Sequence, residues 1–133
     1  MQAPDDKGAA SASQRDPLAG EQRLVGTETI PEGFGQKFLL ERGGDLPPHE
    51  VLVMRIDGRL HAMHTLCPHA GGRLAEGPLT KGRYPSCPLH LYKFDPESGA
   101  ALEVDCPPAT VYAIEEVGDG EARLQLPEHG LSE

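Results

Sequence analysis

From Glu21 onward, short apolar runs alternate with turn-forming residues, and the spacing favours strands over helices. Residues 36–41 (QKFLLE) and 50–56 (EVLVMRI) read as strands. Asp57-Gly58 then supplies the two-residue hairpin signal leading into 59–64 (RLHAMH). A second set follows: 93–95 (KFD), the turn PESG at 96–99, and 100–104 (AALEV). Residues 110–117 (TVYAIEEV), the turn GDG at 118–120 and 121–126 (EARLQL) close the pattern. About seven or eight short strands separated by turns predict an all-β fold, an antiparallel sandwich or barrel.

Composition sharpens this picture. Sixteen Gly and thirteen Pro in 133 residues demand many turns, and the length suits one domain with its own core. Residues 1–20 carry almost nothing large to bury and read as a disordered N-terminal tail, leaving 21–133 as the folded domain. No apolar run approaches bilayer length, and no apolar signal core stands at the N-terminus, so a cytoplasmic protein with no membrane partner is expected. Three cysteines in such a chain point to thiol or metal chemistry and not to a disulfide framework. A net charge of −9 disfavours nucleic acid and favours docking onto a basic surface. The simplest expectation is a monomer.

The chemistry concentrates in two loops. LCPHAGGRLAEGPL (66–79) contains Cys67-x-His69, and SCPLHLYKFD (86–95) contains Cys87-x-x-His90. A structural zinc site of two Cys and two His is one reading of these residues, and ordinary loop residues are another. Zinc modules, however, usually pair like with like, whereas each loop here offers one sulfur and one nitrogen. That division suits a two-iron cluster with both thiolates on one iron and both imidazoles on the other.

These loops, with ETIPEG (28–33) before them, resemble those of the Rieske-type 2Fe-2S ferredoxins, and the resemblance runs from Glu28 to Pro127. It implies small antiparallel sheets with a cluster-binding subdomain at one tip, holding one Rieske-type 2Fe-2S cluster. Cys67 and Cys87 would bind the inner iron, and His69 and His90 the outer iron. Respiratory members carry an extra Cys in each loop, forming a disulfide beside the cluster; the matching positions here are Gly72 and Leu89. A hydroxyl that bonds a bridging sulfide in the family falls at Tyr92, where the family has Ser. The proline-rich segment after the second loop implies a lid at Pro107 and Pro108, with Cys106 a packed thiol and not a ligand. Leu91 stands where the family commonly has Gly, a departure similar to the Rieske-like small subunit of assimilatory nitrite reductases.

The ligand set carries its own physics. Two ferric ions, two sulfides and two thiolates sum to zero charge, because neutral imidazoles add none. Such a cluster accepts an electron more readily than one with four thiolates, and family potentials span about −150 to +300 mV. The missing disulfide and serine place this chain at the low end. Reduction adds negative charge, which should raise the imidazole pKa values and make the potential fall as pH rises. The expected role is soluble single-electron transfer from an NAD(P)H-dependent flavoprotein reductase to a terminal oxygenase or reductase, with no catalysis of its own and no room for an oxygenase's catalytic domain. The alternatives are a small subunit of a larger reductase, such as assimilatory nitrite reductase, and a zinc-stabilised non-redox binding domain. Four histidines fall outside the ligand set: His61 and His64 are expected on a strand at the surface, His49 and His129 in surface loops.

Overall fold

The computed structural model describes residues 18–43, 45–66, 72–88 and 92–127. The hairpin at Asp57-Gly58 organises the centre. Both turn residues adopt positive φ, 54° and 77°, the conformation that matches the twist of two antiparallel strands. Glu32 secures this turn from the preceding loop, its carboxylate accepting the backbone N–H groups of Asp57 and Gly58. The flanking strands are β3 (His49–Ile56) and β4 (Arg59–His64), in register from Val51↔His64 to Ile56↔Arg59.

On the other side of β3 lies β2 (Phe34–Leu40), which also pairs with the short β5 (Gly77–Pro78). The far edge of β4 receives β9 (Val111–Tyr112), giving a five-stranded order β5-β2-β3-β4-β9. A second sheet has the order β1-β11-β10, from β1 (Gly20–Val25), β10 (Ile114–Gly118) and β11 (Glu121–Leu126). The third is a small meander of β6 (Ser86–Cys87), β7 (Tyr92–Phe94) and β8 (Ala101–Leu102). All these pairings are antiparallel.

Strand β3 is apolar almost throughout because both of its faces are covered. Val51 and Val53 point into a core shared with Leu24, Ile30, Leu60, Ala62, Leu124 and Leu126, between the two larger sheets. Leu52, Met54 and Ile56 point the other way, against Met63, Leu74, Leu79, Cys87 and Phe94. One strand with a side-chain period of two therefore joins a sandwich core to a second core beneath the Cys-Pro loops.

The expected elements hold at β2, β3, β4, β7 and β11, with differences elsewhere. Residues 110–117 do not form one strand. The chain changes sheets at Ala113, whose carbonyl accepts from the Gln125 N–H, so β9 and β10 belong to different layers. The run 100–104 pairs only over Ala101–Leu102, because Glu103 takes a left-handed φ of 70° and turns the chain away. At the N-terminus, Leu18 is buried in the sandwich core and β1 begins at Gly20. Leu24 is the only residue of β1 that is buried, which is why its polar sequence carried no strand signal. Residues 1–17 of the expected tail lie outside the described residues.

Candidate metal centre

Of the four expected ligands, Cys67, His69 and His90 lie outside the described residues, as do Leu89 and Leu91. The structure does describe what holds both loops. The first leaves β4 through Thr65 and returns at Arg73. Leu66 and Arg73 form an antiparallel bridge across its base, and the Leu74 N–H donates to the Thr65 carbonyl at 2.7 Å. The second is the connection between β6 and β7, where Cys87 pairs directly with Tyr92.

The two bases are joined. Ala75, just past the first loop, donates its N–H to the carbonyl of Ser86, just before the second, at 2.9 Å. A third segment closes over the same core. Gly99 accepts from the Ala109 N–H at 2.8 Å, and Ala109 and Cys106 pack against the cluster of buried residues that contains Cys87. Pro107 and Pro108 sit between them, exposed. Gly99 has φ +81°, and a Cβ there would run into the Ala109 carbonyl, so the segment's approach requires glycine.

Cys87 is fully buried, walled by Leu74, Phe94 and half-buried Tyr92. A thiolate in such surroundings would be costly unless a cation sits against it, and ferric iron supplies that charge. The described part of the donor set thus fits an inner iron held on the protein side of the loops. Tyr92, expected in place of a sulfide-bonding serine, is half-buried in the same apolar cluster.

Charge around the site is arranged in pairs. Lys93 and Glu103 form a salt bridge at 2.9 Å, and this hydrogen bond holds the Glu103 carboxyl below the usual carboxylate range. His61 is half-buried at a groove lined also by Arg59, Glu97 and Tyr112, and burial pushes its imidazole below the usual value against the opposing pull of Glu97.

Two expectations are corrected here. His49 is not in a surface loop: it starts β3, is fully buried, and its Nε2 lies 2.8 Å from the Tyr112 hydroxyl. His64 is not at the surface either, at 6% exposure with its ring 4.4 Å from that of His49. The alternation along β3 and β4 puts both on the face of Val51 and Ala62, so they belong to the sandwich core. That signal was available in the sequence as parity with the buried valines, but a histidine's burial depends on the partner that Tyr112 provides. His129 lies outside the described residues.

The model of the Rieske [2Fe-2S] domain matches residues 25–121. The ferredoxin component of an alkene monooxygenase system from Xanthobacter autotrophicus is 38% identical over 58 residues, covering 44% of this chain and 48% of that protein. The anthranilate 1,2-dioxygenase ferredoxin subunit of Burkholderia cepacia is 39% identical over 80 residues, 57% of this chain and 69% of that one. The chain spans about half the length of several curated relatives it matches. Among solved structures, the ferredoxin of carbazole 1,9a-dioxygenase from Nocardioides aromaticivorans superposes with a TM-score of 0.64 at 26% identity, over 82% of this chain and 99% of that one.

Proposed function

The chain belongs to the Rieske [2Fe-2S] domain family, and from that premise we propose that it is a one-electron carrier serving an oxygenase. Its cofactor is one Rieske-type 2Fe-2S cluster, which when bound accepts and releases single electrons. Cys67 and Cys87 would hold the inner iron, and His69 and His90 the outer iron. The observation that carries this reading is Cys87, a fully buried sulfur at the end of β6, on a loop base hydrogen-bonded to that of the other loop.

The surrounding residues have distinct tasks. Leu74, Phe94 and Ala109 exclude water from the sulfur side. Pro107 and Pro108, on a segment anchored at Gly99, are the lid that the family resemblance implies. A flavoprotein reductase supplies the electron and a terminal oxygenase consumes it, in keeping with relatives that are named ferredoxin components of oxygenase systems. The chain's formal charge of −9 attracts basic partner surfaces, and transfer rates should fall as salt is added. The carrier works in the cytoplasm; no helix of the described residues is long and apolar enough to cross a membrane.

Reduction with dithionite tests this directly. A rhombic electron paramagnetic resonance signal and acid-labile sulfide are expected, with a midpoint at the low end of the roughly −150 to +300 mV family span. A colourless protein retaining zinc would overturn the electron-carrier reading. Gel filtration with candidate partners tests the shuttle role, since a subunit of a larger reductase would co-purify with it.

A further inference from the structure

The face of the five-stranded sheet that looks towards the loops carries an unexpected polar chain. Lys37 on β2 and Glu50 on β3 share that face with Leu52, by strand alternation and by the register Lys37↔Leu52. The Lys37 ammonium lies 3.6 Å from Glu50 Oε1. The same carboxylate oxygen accepts the Thr65 hydroxyl at 2.7 Å. Arg73 in turn donates to the Thr65 hydroxyl oxygen at 3.3 Å. Thr65 is fully buried, and its backbone is committed as well: its N–H donates to the Glu50 carbonyl at 3.2 Å and its carbonyl accepts from Leu74. A second tie runs from the Lys37 backbone N–H to the Glu76 carboxylate at 2.8 Å, beyond the first loop's return.

Thr65 is therefore the point where strand β3 and both ends of the first Cys-Pro loop meet. Backbone bonds already bridge the two sides at Leu66 and Arg73 and at Leu74 and Thr65, and the Thr65 side chain adds a tie to the β3 carboxylate. Arg73, on the returning side, reaches the sheet through the Thr65 hydroxyl, which donates to a carboxylate and accepts from a guanidinium. Both bonds involve a charged group and are stronger than neutral ones. We propose that Thr65 and Glu50 are positioning residues for the cluster: together they clamp the first loop shut and set how firmly, and in what geometry, its ligands are presented. This rests on the family reading above.

The test compares Thr65→Val, which keeps the shape and loses the hydroxyl, with Thr65→Ser, which restores it, and with Glu50→Gln. Each is prepared with its cluster loaded. Iron release to a chelator, the resonance g-values after dithionite and the thermal midpoint are measured. Losing a hydrogen bond to a charged group should speed iron release by about tenfold or more in Thr65→Val. Its g-values should shift, with Thr65→Ser close to the parent and Glu50→Gln between. Should Thr65→Val fail to fold, Glu50→Gln carries the same comparison at a half-buried partner. Parental release rates and g-values in either variant, even with a lowered thermal midpoint, would reduce the chain to ordinary scaffolding and overturn the proposal. A parent that binds no iron at all would instead remove the family-based reading beneath it.

Discussion

Arg55 offers the sharpest quantitative test of how the sheets are held together. It projects from β3, and the contacts of its guanidinium span three elements. Nε donates to the Ile30 carbonyl at 2.9 Å and Nη2 to the Thr27 carbonyl at 3.1 Å. Nη1 reaches the Gly58 carbonyl at 3.3 Å, and Nη1 and Nη2 grip the Glu116 carboxylate of β10 at 3.2 and 2.9 Å. These contacts use the fork that distinguishes arginine from lysine. Replacement by Met keeps much of the stem's packing and removes every donor. Thr27 and Ile30 are buried, so each of their carbonyls loses a partner where water cannot easily substitute, at about 1–3 kcal/mol apiece. The ion pair adds less, roughly 0–1 kcal/mol, because the Glu116 side chain is 34% exposed. The expected loss is about 3 kcal/mol, or on the order of 10–20 °C in thermal midpoint for a domain of this size. Arg55→Lys should lose roughly half as much, since it keeps the charge but not the fork. Far-UV circular dichroism melts of equally iron-loaded samples, at one scan rate, would measure this. A Met variant melting within about 2 °C of the parent would show that these carbonyls find water and that the clamp is idle.

Other perturbations test the remaining arguments. The hydrogen bond from Arg55 holds the Glu116 carboxyl below its ordinary value. Its contribution to stability is therefore complete above the ordinary carboxylate pKa and is lost as pH falls through the lower folded value. Acid unfolding of Arg55→Met should lack this component, and superimposable acid limbs would contradict it. Gly99→Ala forces a Cβ against the Ala109 carbonyl at a left-handed φ, so a loss of several kcal/mol and of iron content is expected by calorimetry and iron assay. Cys87→Ala should remove the visible absorption while leaving the sandwich sheets folded, judged by circular dichroism; a variant still coloured would exclude Cys87 as a ligand. Phe94→Ala opens the core beneath the loops and should cost about 3–5 kcal/mol in the same melts.

The strands with strong apolar runs were legible from the chain alone, as was the Asp57-Gly58 hairpin, because their period and turn chemistry are local properties. The one sulfur and one nitrogen that each Cys-Pro loop offers are likewise a matter of residue type and spacing, and of these four residues the structure describes Cys87. The histidines show where this stops. His49 and His64 look polar in any linear reading, yet both are buried: Tyr112, far along the chain, hydrogen-bonds His49, and the His64 ring lies against that of His49.

The same division holds for the whole molecule. By itself the sequence determined an antiparallel β fold, the two loops and the kind of metal they suit. Only the tertiary structure decided that β3 is covered on both faces, that residues 110–117 divide between two sheets, and that Thr65 ties β3 to both ends of a loop. Each of these depends on groups distant in sequence meeting in space, and a backbone hydrogen bond or a buried charge has no preferred partner until the fold provides one.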